Sequence, residues 1–398
     1  MAFEARGMIA QKQISRISVL QCSRCDKVYP LDQANTFASC EQCEKAPLVC
    51  EYDVFSGLSR KDIDHSERSM WRYFEMLPVF DRKNIVTLGE GWTPLLPLER
   101  LGNIVGMQQL YLKDESLNPT GSFKARGLSM AISKAKELGI NNCIIPTAGN
   151  AGGAMAAYCA RAGMTATVVM PRHTPQAFKT ECEYFGAKLI LVDGLINDCA
   201  KKVAELNADK QYFDVSTMKE PYRLEGKKTM GYEIAEQFHW ELPDVILYPT
   251  GGGTGLIGMW KAFREMMEMG WIGSKMPRLI AVQSENCKPV EDVFFHRKPE
   301  GPSRPTVANG LAVPFPFADK MIQQVLHETA GTAISVPERE IIPCVRQMAA
   351  TEGLFISPEG ATLLSALKIM LTTQEINPES RVLLLNTGSG YKYIESMM

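Results

Sequence analysis

From about residue 85 onward, short runs of almost unbroken apolar residues alternate with longer stretches of helical periodicity. The segment 106–115, GMQQLYLKDE, predicts a strand, and 123–139, FKARGLSMAISKAKELG, has helical spacing and a glycine stop. NNCIIPTA (141–148) predicts a strand running into a turn, and GGAMAAYCARAG (152–163) an alanine-rich helix. TATVVMP (165–171) predicts a strand, AFKTECEYFG (177–186) a helix and AKLILVD (187–193) another strand. The rhythm resumes in DVILYPTGGGTGLIGMWKAFREM (244–266), PRLIAVQ (277–283) and SRVLLLNTGSGYKY (380–393). Strands that are apolar on both faces, each followed by a helix, predict an α/β protein built on parallel sheets covered on both sides. Residues 288–316, rich in Pro, Arg and Lys, predict a long surface connection or lid instead of regular structure. The chain has no internal repeat and no low-complexity tract.

The first fifty residues break this pattern. Cys22 and Cys25 form one C-x-x-C and Cys40 and Cys43 another. Two such knuckles supply the four thiolates that a structural zinc ion prefers, and a segment this short needs a metal to organise it. The alternative is a degenerate ribbon that has lost its metal and packs on the body of the protein. Cys50 falls outside the pattern and reads as packing, as do Cys143, Cys159, Cys199 and Cys344 in their apolar surroundings.

At 398 residues the chain calls for two or three domains, and 45% apolar with 22% charged residues is an ordinary globular composition. A net charge of −2, with acids and bases mixed throughout, argues against a nucleic-acid partner. No apolar run reaches the ~20 residues of a membrane span. The start, MAFEARGMIAQKQ, lacks the apolar stretch of a signal peptide, so the expected location is cytoplasmic.

Candidate chemistry gathers at four turns. In N-P-T-G-S-F-K-A-R-G (118–127), Lys124 opens a helix just after a turn, where the helix dipole discourages it from holding its proton. A deprotonated amine is what Schiff-base formation with an aldehyde requires. T-A-G-N-A-G-G (147–153) exposes backbone N–H groups at a helix start, a seat for a carboxylate, with the Asn150 amide beside it. T-G-G-G-T-G (250–255) lets the backbone close round a phosphate, and matches neither a dinucleotide nor a P-loop fingerprint. N-T-G-S-G (386–390) follows the last strand and offers the Thr387 hydroxyl. Each turn alone also reads as ordinary packing or solvated surface.

Taken in this order, and together with L-G-E-G-W-T-P-L (88–95) and E-P-Y-R-L-E-G-K-K-T (220–229), the motifs resemble the threonine synthase family of fold-type-II pyridoxal-phosphate-dependent enzymes. The resemblance runs from about Leu88 to Lys392, and a cysteine-bearing N-terminal extension is also seen in that family. It implies a tryptophan-synthase-β-like architecture of two parallel-sheet domains behind a zinc-ribbon-like segment. The expected divisions are 1–53 for the ribbon, 54–123 with 221–398 for the large cofactor-binding domain, and 124–220 for a small mobile domain. It further implies that Lys124 carries pyridoxal 5'-phosphate and later shuttles protons. Gly251, Gly252, Gly253, Thr254 and Gly255 hold the cofactor phosphate by their backbone, and Asn150 holds the ring hydroxyl. Thr387 faces the pyridine nitrogen, where a hydroxyl, unlike an acid, leaves a weaker electron sink suited to side-chain elimination and replacement. Thr147, Ala148 and Gly149 take the α-carboxylate of a small amino-acid substrate. Arg223 and Lys228 remain for a second anion, and the assembly is a homodimer.

Several positions depart from the family's usual pattern. Ala125 stands where an acid is usual and Ala151 where a hydroxyl is usual, and Lys219 and Glu220 precede P-Y-R-L-E-G in place of Asn. The phosphate loop is all Gly and Thr, without the family's G-N. Missing donors at an anion site remove charge-assisted hydrogen bonds. The leading expectation is threonine synthesis from O-phosphohomoserine and water. The alternative is a β-eliminating threonine or serine deaminase, or a β-replacing synthase, in which Arg223 is only a structural ion-pair partner of Glu225 or Glu233.

Overall fold

A computed structural model describes residues 15–31, 39–43, 46–53, 57–299 and 301–398. The N-terminal stretch 1–13, read from sequence as lacking a signal peptide, and the expected beginning of the large domain at residue 54 lie outside the described residues. The strand–helix alternation appears as two sheets. The larger has six strands in the order Thr332–Val336, Arg278–Ser284, Val245–Pro249, Val382–Asn386, Leu110–Asp114 and Leu95–Pro97. Its first five strands are parallel, and Leu95–Pro97 closes one edge antiparallel. The smaller has four parallel strands, ordered Lys188–Val192, Thr165–Pro171, Asn142–Pro146 and Phe213–Asp214. Val245–Pro249 and Val382–Asn386 are buried at every position, as strands covered by helices on both faces must be.

The helix Tyr222–Gln237 fastens the layers and has no readable amphipathic stripe, because it is buried from Tyr222 through Ala235. It packs against the helices Lys124–Glu137 and Thr254–Glu268. Close approach requires glycine: a Cβ at Gly226 would meet the Arg126 carbonyl oxygen at 2.2 Å, and one at Gly231 would meet Ala262 Cβ at 2.6 Å. Its charges are neutralised inside. Arg126 donates through Nε and Nη2 to Glu115 and through Nη1 and Nη2 to Glu233, while Lys113 Nζ reaches Glu233 at 2.9 Å. Removing one partner from such a network strands a buried charge. Arg126→Ala is therefore expected to destabilise the fold by about 3–5 kcal/mol, measurable as a lowered urea midpoint.

The N-terminal segment is a three-stranded antiparallel sheet in the order Val28–Tyr29, Ile17–Cys22, Leu48–Tyr52. Among the described residues it has no separate core and shares one with Met70, Trp71, Phe74, Leu77 and Tyr222 of the body. Cys50 is fully buried in that cluster, as packing predicts. The segment 288–316 differs from the expected surface connection. It contains the short helix Pro289–Phe294 and the turn Asn309–Leu311, and it buries Thr306, Ala308 and Leu311. Its charged first half masks the apolar second half in a composition count. Among the described residues, no helix is long and apolar enough to cross a membrane.

Candidate active site

The carboxyl ends of strands from both sheets face one cavity of about 280 Å³. Val245–Pro249 delivers Gly251–Gly253, Asn142–Pro146 delivers Thr147–Gly149, and Val382–Asn386 delivers Thr387. This is the position where open parallel sheets hold their ligands. Lys124 reaches the cavity because the turn before its helix is tied to the last loop. Thr120 and Gly121 adopt left-handed φ values of 63° and 65°. Phe123 N–H then donates to the Thr387 carbonyl at 3.1 Å, and Ser389 N–H to the Gly121 carbonyl at 3.0 Å.

Lys124 Nζ makes no hydrogen bond or ion pair among the described residues and stands 4.3 Å from the centroid of the Phe123 ring. Burial first, and the Arg223 guanidinium second, push its pKa down to about 7, with Glu359 opposing. The sequence argument invoked the helix dipole; the enclosure of the amine is the larger cause.

Thr147, Ala148, Gly149 and Asn150 line the same cavity as the glycine turn. Asn150 opens the helix Asn150–Ala162, donates through Nδ2 to Tyr393 Oη at 2.8 Å, and leaves its buried Oδ1 without a partner among the described residues. The glycine turn is tight because it must be. A Cβ on Gly251 would sit 2.3 Å from the Gly310 carbonyl, and Gly253 has a φ of 73° at the start of the helix Thr254–Glu268. Thr254 lines the cavity, whereas Gly255 stands behind it, where a Cβ would meet the Tyr248 hydroxyl at 2.1 Å.

Arg223 is 2% exposed and lines the cavity; its Nη1 donates to the Val215 carbonyl, and its buried Nε has no partner among the described residues. Glu225 is paired with Lys228 and Lys261, and Glu233 with Arg126 and Lys113. Neither acid is an ion-pair partner of Arg223.

Lys228 must be corrected as a substrate-anion ligand. It points away from the cavity into a buried cluster, 2.6 Å from Glu225 and 3.1 Å from Glu265, and donates to the Met76 carbonyl. In a helix, residues 223 and 227 share a face and 228 does not. Lys227 is accordingly the lysine beside the site, with Nζ 2.6 Å from Thr254 Oγ1. Sequence reading also missed Glu359 and Tyr393. Glu359 lines the cavity and accepts from Gly310 N–H at 2.7 Å and from Tyr393 Oη at 3.0 Å, with its other oxygen unpartnered. An acid after Ser-Pro at a helix start is an ordinary N-terminal residue, so its sequence carried no signal of this role.

These donors fit an aldehyde cofactor with a phosphate. A free amine with pKa about 7 shares the cavity with a glycine turn at the N-terminus of a 15-residue helix, and Asn150 and Arg223, each with an unpartnered polar atom, also line it. In the N-terminal segment, the sulfurs of Cys22, Cys25, Cys40 and Cys43 lie within 4.8 Å of one another, and those of Cys25 and Cys40 are 3.8 Å apart. Zinc–sulfur bonds of about 2.3 Å in a tetrahedron require sulfur separations near 3.8 Å.

Three kinds of similarity bear on the site. The family described as pyridoxal-phosphate dependent enzyme matches residues 86–388. The threonine synthase of Methanocaldococcus jannaschii is 31% identical over 382 residues, 94% of this chain and 92% of that protein. That of Methanosarcina acetivorans is 31% identical over 376 residues, 93% of this chain and 91% of its own length. Among solved structures, diaminopropionate ammonia lyase from Escherichia coli superposes with a TM-score of 0.67 at 19% identity, covering 87% of this chain and 95% of that one. Maize serine racemase superposes with 0.63 at 21% identity, covering 75% and 88%. These two share the fold.

Proposed function

Because the chain belongs to the pyridoxal-phosphate-dependent enzymes, in the threonine synthase family, and is a lyase of that class, we propose that it converts O-phosphohomoserine and water to threonine and phosphate. The observation that carries the substrate is Arg223, a buried guanidinium in the cavity wall with an unpartnered Nε and no ion-pair partner in Glu225 or Glu233. A buried cation that feels Glu220 and Asp214 nearby but makes no ion pair with either among the described residues suits a substrate that brings an anion.

Pyridoxal phosphate, when bound, supplies an electron sink for negative charge developing on the substrate carbon skeleton. The protein supplies position and proton traffic. Gly251, Gly252, Gly253 and Thr254 hold the phosphate end at the helix N-terminus, Asn150 Nδ2 donates at the ring hydroxyl, and Thr387 sits at the pyridine nitrogen. Thr147, Ala148 and Gly149 fix the α-carboxylate, which leaves the far end of the side chain for Arg223. Lys124 Nζ, close to half deprotonated at neutral pH, takes the proton from Cα and returns one later in the cycle. The segment 124–220, which carries the Asn150 turn, closes over the substrate and excludes water from all but the hydration step.

Incubating the enzyme with O-phosphohomoserine and assaying phosphate and threonine together tests this reading. Equal release of both is expected. Oxo acid and ammonia appearing from serine or threonine, with no phosphate release from phosphohomoserine, would replace it with a deaminase.

We also propose that the four cysteines hold one structural zinc ion. Purified protein grown with zinc should carry about one zinc per chain by metal analysis. Changing Cys22 and Cys25 to Ser should release it and loosen the three-stranded sheet while leaving cofactor absorbance in place. Protein that contains no zinc under those conditions has a degenerate ribbon.

A further inference from the structure

Lys227 has no task in the scheme above, yet its surroundings are unlike those of the other buried lysines. Lys113, Lys134, Lys228 and Lys261 each sit within 3.5 Å of a carboxylate. Lys227 is 1% exposed, and among the described residues it has no carboxylate at ion-pair distance. Its hydrogen bond runs instead to Thr254 Oγ1 at 2.6 Å, and its Nζ stands 5.1 Å from the centroid of the Phe123 ring. Thr254 is the first residue of the helix Thr254–Glu268, directly after Gly251–Gly253. The neighbouring backbone is shaped to admit this lysine: a Cβ on Gly127 would lie 3.0 Å from Lys227 Cε and 3.0 Å from the Arg223 carbonyl. Burial, Lys124 and Arg223 all act to strip its proton, and Glu220 opposes them.

An ammonium buried without an anion carries a heavy desolvation penalty, and the same fold neutralises each of its other buried lysines. The remaining source of negative charge at Thr254 is the anion that the glycine turn is built to hold. We propose that Lys227 is a cationic member of the cofactor-phosphate cradle, acting together with Thr254 and the backbone of Gly251–Gly253. The helix N-terminus alone supplies partial charges, whereas a phosphate ester carries close to two. This rests on the assignment of pyridoxal phosphate to the cavity.

The test compares pyridoxal phosphate with pyridoxal, which has the same aldehyde and ring but no phosphate. Dissociation constants come from the absorbance of lysine-bound cofactor on serial dilution of the full-length holoenzyme, and of enzyme exchanged into pyridoxal. Lys227→Met should weaken pyridoxal phosphate by about 10- to 100-fold, the usual value of a charge-assisted hydrogen bond, and leave pyridoxal unchanged. Lys227→Gln, which keeps a donor for Thr254 Oγ1 without the charge, should also lose affinity for the phosphorylated form alone. An unchanged constant for pyridoxal phosphate, or equal weakening of both compounds, overturns the proposal. So does failure of both variants to fold, which makes Lys227 a structural residue. A parent enzyme that binds neither compound removes the cofactor assignment itself, a different outcome.

Discussion

Lys124→Ala is expected to abolish the borohydride-trapped cofactor adduct and to lower turnover by at least about a thousandfold, since it removes what we propose to be both the attachment point and the group that moves the proton at Cα. The chemical reason is the state of the amine. An ordinary lysine with pKa near 10.4 is deprotonated in only about one molecule in 2,500 at pH 7, whereas a group with pKa about 7 is deprotonated in roughly half. Burial lowers the pKa because it penalises the charged form, and Arg223 adds repulsion. The rate at which cofactor-free enzyme takes up pyridoxal phosphate should therefore rise as pH increases through about 7 and level off above it, where the amine is already neutral. Mass spectrometry after borohydride reduction locates the adduct. An adduct on Lys227, the buried lysine that bonds the cavity-lining Thr254, would transfer the role to that residue.

The parts of this site that can be read from the chain are those whose local geometry demands particular residues. Glycines at 251 and 253 stand where a side chain would collide or where φ is positive, so the turn announces itself. The strands that feed it are apolar on both faces, and their order in the chain predicts the parallel sheets. What could not be read is the direction in which a charged side chain leaves a wholly buried helix. Tyr222–Gln237 has polar residues on every face, several satisfied by a partner distant in sequence, such as Arg126 for Glu233 or Lys261 for Glu225. No hydrophobic stripe tells inside from outside there, so Lys227 and Lys228 are interchangeable on paper and opposite in space. The strand Thr332–Val336 escaped for a related reason: it lies at the sheet edge, and Ile334 and Ser335 are only half buried. Glu359 and Gly310 meet across 49 residues of chain, a contact set by topology.

Arg223→Ala should reduce kcat/KM for O-phosphohomoserine by roughly 30- to 3,000-fold, because truncating a buried cation that pairs with an anion costs on the order of 2–5 kcal/mol. The guanidinium is held in place by the Val215 carbonyl, and Glu220 beside it is bound to the backbone N–H groups of Tyr222 and Arg223 at 2.7 and 3.0 Å. Burial raises the Glu220 pKa to about 7, against the pull of Arg223. Near neutral pH this acid is therefore close to half protonated, which leaves Arg223 incompletely neutralised. That arrangement is the basis on which we propose a substrate carrying phosphate instead of only a hydroxyl. Inorganic phosphate should compete with substrate in the parent and do so much less in Arg223→Ala. Arg223→Lys keeps a charge but loses the forked geometry, and should fall between the two. The loss should appear mainly with the phosphorylated substrate, while the absorbance of lysine-bound cofactor stays as in the parent, since the proposed seat of the cofactor phosphate is the glycine turn. Should Arg223→Ala retain the parent's phosphate sensitivity, the cavity would have no substrate-phosphate clamp at this residue. The threonine synthase reading would then lose the observation that carries it, leaving a lyase of the same family with another leaving group.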